Sequence, residues 1–160
     1  MLPKVIIHNV ISADGRIDGF QPDLELYYKL ASSWNEDATL AGSGTIYKPG
    51  EEYEEEGEDV FTEPKRDPDD KRPLMVVPDS KGRVRNWHVL RKAGYWRDFV
   101  AFCTESTPKG YLDYLNKRHI EHIICGNDKV DLKKALEILN ERYGVKIVRV
   151  DSGGTLNGIV

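Results

Sequence analysis

The sequence has few cysteines and lacks the cysteine and histidine clusters typical of metal sites. Its two cysteines, Cys103 and Cys125, lie far apart in segments that both resemble strands, and no CxxC pair occurs. Structural zinc sites and disulfide frameworks need closely spaced ligands. His119 and His122 share a predicted strand without further ligands nearby in the sequence. We therefore expect no metal and a reducing compartment, the cytoplasm.

Long apolar runs and an excess of basic charge are also missing. The N-terminus has no signal-peptide core, and no run is long enough to span a bilayer, so we expect no membrane partner. The formal net charge is −4 and the basic residues are scattered. A nucleic-acid partner is not expected, because no global basic surface is indicated. A small anionic ligand would instead need a local binding site, such as a turn with free backbone N–H groups.

The motifs of covalent catalysis and metal-dependent hydrolysis are absent as well. The sequence contains no nucleophile elbow, no HExxH motif and no Ser/His/Asp arrangement. Chemistry carried by a bound nucleotide cofactor remains the better interpretation.

Strand-like and helix-like segments alternate along a chain of 160 residues, which is most simply one domain, residues 1–160. Each predicted strand is a short apolar run, and the runs are 5–11, 38–42, 73–80, 98–103, 120–126 and 145–150. Asp131 is expected to begin the clearest helix and Gly144 to end it. The alternation predicts an α/β fold with a parallel-rich sheet.

The first run, residues 5–11, is nearly all β-branched and predicts a central strand buried on both faces. We interpret His8 as a satisfied or edge histidine. Asn9 is a polar amide within an apolar run and needs partners, which a ligand can supply. The turn containing Asp14 and Gly15 is either a plain loop or a mobile loop over the carboxyl end of this strand.

A helix is predicted after Pro22, with Asp23 as its N-cap. Its apolar face includes Tyr27, Tyr28 and Trp34, which we assign to the hydrophobic core.

Three turns that follow predicted strands are candidates for phosphate binding. Residues 146–157 (KIVRVDSGGTLN) predict a buried strand, a glycine turn and a helix starting near Thr155, with a plain turn capped by Ser152 or Thr155 as the equal alternative. Residues 42–45 (GSGT) repeat the pattern. Parallel strands bring such turns to one edge of the sheet. The turn from Ser80 to Arg83 either binds a phosphate or is simply solvated.

Residues 48–72 are rich in acidic residues and proline. Low hydrophobicity and like charge predict an acidic, partly mobile surface loop within the domain.

Four segments together resemble the riboflavin-biosynthesis pyrimidine reductases. They are residues 9–16 (NVISADGR), 41–46 (AGSGTI), 73–80 (PLMVVPDS) and 151–157 (DSGGTLN), and residues 129–134 (KVDLKK) are similar to the archaeal form. The resemblance implies a dihydrofolate-reductase-like three-layer α/β/α fold. It also implies a homodimer that uses NADPH to reduce the ribosylamino group of a pyrimidine 5′-phosphate to ribitylamino.

The resemblance further implies roles for individual residues. Catalytic roles fall to Asn9 and Asp14, and substrate binding to Ser12 and Gly15. The implied cofactor-binding residues are Gly42, Gly44, Thr45, Ser80, Arg83, Gly153, Gly154, Thr155, Leu156 and Asn157.

Three departures from the family pattern leave alternatives open. Ser152 replaces one glycine of the last motif, and the segment beginning at Lys48 replaces a substrate-side motif. The chain ends at Val160, whereas the family continues, so a fragment is expected. The alternatives are a reductase of the same fold with another substrate and a nucleotide-binding module without catalysis.

Overall fold

The structure, a computed structural model, describes residues 1–152 and Leu156. Within this part of the chain, six strands form one sheet in the order β1-β6-β2-β3-β4-β5, and every neighbouring pair is parallel. The strands are β1 (Lys4–Ile7), β2 (Ala38–Leu40), β3 (Leu74–Pro78), β4 (Asp98–Cys103), β5 (Glu121–Ile124) and β6 (Ile147–Val150). The helices are α1 (Leu24–Ala31), α2 (Ser43–Ile46), α3 (Trp87–Ala93), α4 (Lys109–Lys117) and α5 (Leu132–Tyr143), with 3-10 turns at Ser32–Trp34 and Glu58–Phe61.

The sheet is covered on both faces because successive side chains of a strand point to opposite sides. Leu74 and Val76 of β3 belong to a core cluster that contains the apolar face of α5. Met75 and Val77 belong to a second cluster with residues of α3 and α4. The predicted three-layer α/β/α arrangement is therefore confirmed.

The predicted helix ends are also confirmed. The Asp23 carboxylate accepts a hydrogen bond from the Leu26 N–H at 2.9 Å and caps α1. Asp131 caps α5 by accepting from the Lys134 N–H at 3.0 Å. Gly144 ends α5 in the left-handed conformation, with a φ of 66° that favours glycine.

Two expectations about the first part of the chain are wrong. The first strand is shorter than predicted and lies at the edge of the sheet, because β6 separates β1 from β2. Ile7 is consequently 50% exposed. Asn9 lies beyond the end of β1 and is itself exposed, not inside a buried strand.

The apolar face assigned to α1 is not in the core. Ala31 is the buried residue of this helix, whereas Tyr28 is 58% exposed and Leu30 is 51% exposed. Trp34, in the following 3-10 turn, is 38% exposed. The periodic pattern identified the helix correctly, but the edge position of β1 leaves less sheet surface for α1 to cover.

We call residues 48–72 the acidic strap. The strap lies over α3 and α4 and is attached by ion pairs. Glu56 accepts two hydrogen bonds from the guanidinium of Arg118, at 2.7 and 2.6 Å, and Glu54 pairs with Lys92 at 2.6 Å. The strap is held against the helices by these pairs, and its mobility stays a prediction.

Candidate functional site

The carboxyl edge of the sheet brings two of the glycine-containing turns together. The Gly42 N–H at the start of α2 donates a hydrogen bond to the Ser152 hydroxyl at 3.2 Å. The Thr45 hydroxyl lies 3.3 Å from the same oxygen. A Cβ at Gly42 would lie 3.0 Å from the Ser152 Oγ, closer than an ordinary contact. The serine that departs from the family pattern therefore joins the turn after β2 to the turn after β6.

A cavity of about 460 Å³, which we call the glycine-turn cavity, opens at this edge. Its volume lies in the usual range for small-molecule sites. Its lining comes from the turns after β2, β3, β5 and β6, and consists of Gly42, Ser43, Gly44, Thr45, Pro78, Asp79, Ser80, Lys81, Arg83, Lys129, Val130, Leu132, Ser152 and Leu156.

The turn after β3 is held by a buried carboxylate. Asp79 is 2% exposed, and its two oxygens accept the backbone N–H groups of Arg83 and Val84, each at 2.9 Å. Gly82 has a φ of 66°, and a Cβ there would meet the Tyr111 ring at 2.6 Å. The hydrogen bonds to Asp79 and the contact with Tyr111 hold this turn against the sheet, and its residues Lys81 and Arg83 line the cavity.

The glycine-turn cavity is basic although the protein is acidic overall. Lys81, Arg83 and Lys129 line it, and none forms an ion pair or a side-chain hydrogen bond within residues 1–152 and Leu156. The carboxylate of Asp79 is already occupied by backbone donors. Three cations without partners are expected to attract a ligand with several negative charges.

A second cavity of about 260 Å³ adjoins the first and lies between α1 and the ends of β1 and β6. We call it the β1-side cavity. It is lined by Asn9, Val10, Ile17, Leu24, Tyr27, Tyr28, Thr45, Asp151 and Ser152. Thr45 and Ser152 line both cavities. A ligand in one cavity would therefore lie next to a ligand in the other.

A polar network places a carboxylate in the β1-side cavity. The Tyr27 hydroxyl lies 3.1 Å from Asp151 Oδ1 and 2.9 Å from the carbonyl oxygen of His8. Arg149 Nη1 lies 3.3 Å from Asp151 Oδ2, and Arg149 Nε donates to Glu36 at 2.8 Å. Both oxygens of Asp151 are thus positioned by side chains from different elements.

Two members of this network, Tyr27 and Arg149, have shifted pKa values. Burial, followed by the negative charge of Asp151, raises the pKa of Tyr27 well above its ordinary value, so its hydroxyl keeps its proton. Burial opposes the charge of Arg149, but Glu36 and Asp151 raise its pKa overall. Because Arg149 is shared with Glu36, its charge is not concentrated on Asp151 alone.

Asp151 belongs to the last glycine-containing motif, but the sequence predicts no separate role for its carboxylate and assigns neither Arg149 nor Tyr27 to the site. One signal was present in residues 147–151 (IVRVD), where an arginine interrupts a buried apolar strand. A buried charge needs a partner, and an acidic residue stands at the carboxyl end of the same strand.

The cofactor-binding residues implied by the resemblance fall into two groups. Those that the structure brings together around the glycine-turn cavity are Gly42, Gly44, Thr45, Ser80, Arg83 and Leu156. Gly153, Gly154, Thr155 and Asn157, together with the predicted helix start, lie outside the described residues.

The predicted catalytic and substrate residues are more dispersed. Asn9 lines the β1-side cavity. Ser12, Asp14 and Gly15 form an exposed turn that lines neither cavity, in which the Ser12 hydroxyl donates to Asp14. Asp14 also pairs with Arg16 at 3.0 Å. The roles of these residues stay predictions.

Other reactive groups in the described part of the chain do not form a site. Burial raises the pKa of Cys103 to about 12 and that of Cys125 to about 11, so both thiols are neutral at physiological pH. Within residues 1–152 and Leu156, no three His, Cys, Asp or Glu residues are grouped as metal ligands would be. No helix in this part of the chain is both long and apolar enough to cross a membrane.

Comparisons with a family model and with a curated relative point to the same family. The family model of the RibD C-terminal domain matches residues 3–159. A 2,5-diamino-6-ribosylamino-4(3H)-pyrimidinone 5′-phosphate reductase of Archaeoglobus fulgidus is 26% identical over 98% of this chain and 73% of its own length.

Solved structures show the same fold at low identity. The riboflavin biosynthesis reductase Rib7 of Saccharomyces cerevisiae superposes with a TM-score of 0.62 and is 22% identical over 95% of this chain and 63% of its own. RibD of Acinetobacter baumannii superposes with a TM-score of 0.62 and is 16% identical in sequence. The match covers 99% of this chain and 44% of the RibD chain. A pyrimidine reductase-like protein of Corynebacterium diphtheriae superposes with a TM-score of 0.60 and is 17% identical in sequence. The match covers 99% of this chain and 71% of that protein's chain. The chain thus spans less than two thirds of the first two structures, and the dihydrofolate-reductase-like fold is confirmed.

Proposed function

Because the chain belongs to the RibD C-terminal domain family, we propose that it is an NADPH-dependent reductase of riboflavin biosynthesis. It reduces the ribosylamino group of a pyrimidine 5′-phosphate to a ribitylamino group. The observation that carries this proposal is the pair of adjoining cavities, which share Thr45 and Ser152. Transfer between two bound molecules requires their reactive ends to meet, and the shared wall is where they would do so.

The glycine-turn cavity fits an anionic dinucleotide. Lys81, Arg83 and Lys129 provide positive charge that the described residues do not neutralise. Gly42 and Gly44 allow close approach of the backbone. Gly153, Gly154, Thr155 and Asn157 are proposed to hold the pyrophosphate beside Leu156, which is 8% exposed. NADPH, when bound, supplies the hydride for the reduction.

In the β1-side cavity we assign the main electrostatic role to Asp151. Opening of the ribose ring breaks the C1′–O bond, moves a proton to the oxygen and leaves an imine. Its protonated form accepts the hydride at C1′, and the nitrogen keeps its proton. The Asp151 carboxylate stabilises the protonated nitrogen, while Tyr27 and Arg149 hold its two oxygens in place. Asn9 orients the acceptor. Asp14 acts at the same centre only if its turn moves toward the cavity.

The assay combines the protein, NADPH and the ribosylamino-pyrimidine 5′-phosphate, and follows loss of the reduced-nicotinamide absorbance. Asp151→Asn should lower kcat about 10²- to 10³-fold, the usual effect of removing one electrostatic stabiliser of the reacting group, while NADPH binding is retained. Asn9→Ala and Asp14→Asn are measured beside it. Asp113→Asn, at an exposed position of α4, is the control for loss of a carboxylate.

Full activity in Asp151→Asn would exclude the role of Asp151, and a selective loss in Asp14→Asn would transfer it to the Ser12–Asp14 turn. NADPH binding without turnover of any acceptor would favour the module without catalysis. Absence of NADPH binding would overturn the proposal as a whole.

One observation favours a second candidate, a reductase of the same fold with a different acceptor. No lysine or arginine is among the described residues that line the β1-side cavity, so none of these residues offers a cation to a 5′-phosphate. Comparing the pyrimidine 5′-phosphate with its dephosphorylated form separates the candidates. A higher kcat/KM for the dephosphorylated form would favour the second.

We also propose a cytoplasmic homodimer. Among the described residues β1 is an edge strand of the sheet, and Ile7, Leu26, Tyr28 and Leu30 are each at least 50% exposed. Exposed apolar patches of this kind typically mark interfaces. Both cysteines are free and buried, which fits a reducing compartment. Sedimentation over a range of protein concentrations tests the dimer, and Leu30→Glu should shift it to monomer.

A further inference from the structure

A buried arginine lies beside the carboxylate of the β1-side cavity. Arg149 leaves β6 between Ile6 of β1 and Thr39 of β2, its partners in the parallel register, and all three residues are buried. Asp151 follows two positions later, so both side chains start from the same face of the sheet. A guanidinium in such surroundings needs a carboxylate partner, because it has lost the solvation of water.

Two carboxylates approach Arg149, and the bond to Glu36 is the stronger. Arg149 Nε donates to Glu36 Oε1 at 2.8 Å. Arg149 Nη1 lies 3.3 Å from Asp151 Oδ2, but this buried nitrogen has no well-aligned hydrogen bond among the described residues. Burial lowers the pKa of Arg149, whereas the two carboxylates raise it overall, Glu36 more than Asp151. The positive charge of Arg149 is therefore neutralised mainly by Glu36.

The backbone around Glu36 fixes the position of this residue beside β6. Asn35 has a φ of 47°, a left-handed conformation that asparagine tolerates, and it ends the 3-10 turn that precedes Glu36. Asp37 Oδ2 accepts the Ile147 N–H at 2.9 Å, and the Asp37 N–H donates to the Ile147 carbonyl at 2.9 Å. These bonds tie the segment to the start of β6, two residues before Arg149.

The sum of these charges determines how Asp151 can act on the acceptor. Asp151 and Arg149 alone have opposite charges that cancel. With Glu36 included, the three side chains carry one net negative charge. The ribosylamino end of the acceptor is neutral when it binds and becomes a cation in the protonated imine, so a net negative charge beside it lowers the barrier.

We infer that Glu36 is a positioning residue of the reductase, which neutralises Arg149 and so leaves the negative charge of Asp151 available to the protonated imine. This inference rests on the proposed function and deepens the assignment of the same site. Glu36 is not among the described residues that line the β1-side cavity, so it acts through Arg149.

The test measures the rate of hydride transfer in a single turnover, together with kcat and the KM of the acceptor. Glu36→Gln should lower the rate and kcat about 10- to 100-fold, the effect of an uncompensated unit charge about 6–10 Å from the reacting cation at an effective dielectric constant of about 20. The KM of the acceptor and the affinity for NADPH should change less than about threefold. Glu36→Asp keeps the charge and should restore most of the rate.

Removal of both charges separates this role from a merely structural one. Glu36→Gln combined with Arg149→Gln should transfer hydride at least about threefold faster than Glu36→Gln alone, because Asp151 then has no unpaired cation beside it. If Glu36 only supported the fold, the second substitution would cause a further loss. Glu141→Gln, at an exposed position of α5, is the matched control and should leave every parameter unchanged.

All variants are assayed below their unfolding temperatures, which circular dichroism gives. If Glu36→Gln does not fold, the double variant decides by itself. A rate within about tenfold of the wild-type rate then supports the inference, and a larger loss overturns it.

A wild-type rate in Glu36→Gln would overturn the inference, as would a loss confined to KM or a double variant no faster than Glu36→Gln. In each of these cases the wild-type protein still reduces the acceptor, and the proposed function stands. A wild-type protein that does not oxidise NADPH in the presence of the acceptor would instead overturn the proposed function.

Discussion

Two basic regions of this molecule differ in how their cations are paired. Beneath the acidic strap, a cavity of about 600 Å³, the strap cavity, is lined by Lys92 and Arg118 together with strap carboxylates. Lys92 pairs with Glu54 and Arg118 with Glu56, each at a closest distance of 2.6 Å. In the glycine-turn cavity, Lys81, Arg83 and Lys129 have no such partners among the described residues. The unpaired cations support the proposed ligand site, whereas the paired cations attach the acidic strap to the rest of the protein.

The cations are paired in one region and not in the other because the neighbouring carboxylates bind different groups. Arg118 is 15% exposed, stacks over the Tyr114 ring at 3.8 Å from its centre, and makes two bonds to Glu56. These bonds lower the pKa of Glu56. In the glycine-turn cavity, the Asp79 oxygens accept backbone N–H groups instead, so they do not pair with the neighbouring cations.

The largest difference between the two regions is expected in NADPH affinity when the charge of one arginine in each region is reversed. Arg83→Glu should weaken NADPH binding by about two orders of magnitude, because it removes a charged hydrogen bond and adds repulsion. Arg118→Glu should leave the NADPH affinity within about twofold, since Arg118 serves the strap. Titration of NADPH fluorescence measures both. An equal loss in the two variants would remove the distinction between the regions.

The next effect concerns the free energy of unfolding. Arg118→Gln should destabilise the protein by about 1–2 kcal/mol, because it leaves the partly buried Glu56 without its partner. Lys92→Gln should cause no measurable change, since both members of its pair are more than half exposed. Urea denaturation gives both values. A larger loss in Lys92→Gln than in Arg118→Gln would contradict the proposed roles.

The free energy of unfolding should depend on pH through the ion pair between Glu56 and Arg118. Hydrogen bonds from Arg118 lower the pKa of Glu56 in the folded state, whereas the unfolded residue titrates near its ordinary value of about 4.3. Below that pH the unfolded chain binds more protons, so the contribution of Glu56 is present above about pH 4.3 and is lost as the pH falls through the folded pKa.

Glu56→Gln has no titrating group at this position. The stability difference between the wild-type protein and this variant should therefore shrink from pH 6 to pH 3, by less than the whole effect of Arg118→Gln. Denaturation curves over this range provide the measurement. A difference that grows as the pH falls would mean that Arg118 does not hold the Glu56 carboxylate in its ionised form.

The smallest effect is that of salt. Raising the ionic strength from 0.05 to 0.5 M should weaken NADPH binding several-fold, because the cations of the glycine-turn cavity are exposed and easily screened. Arg83→Gln should show a weaker dependence than the wild-type protein. An affinity independent of salt would indicate that the cavity attracts its ligand without these charges.

The sequence by itself determined the local features of this protein. Alternating apolar runs predict the six strands, and the caps Asp23, Asp131 and Gly144 are correct because capping involves groups only a few residues apart. The turns containing Gly42, Ser80 and Arg83 were also recognised, and all three residues line one cavity. Parallel strands place their carboxyl-end turns together whatever the order of the strands.

Only the tertiary structure decided which distant residues meet. β6 separates β1 from β2, so the first strand lies at an edge and α1 stays largely exposed. The contact of Tyr27 with Asp151 joins positions 124 residues apart, and that of Glu56 with Arg118 joins positions 62 apart. Local periodicity carries no information on such contacts, since they depend on the order of the strands and the path of the connections. The same geometry that neutralises Arg118 leaves Arg83 available to a ligand.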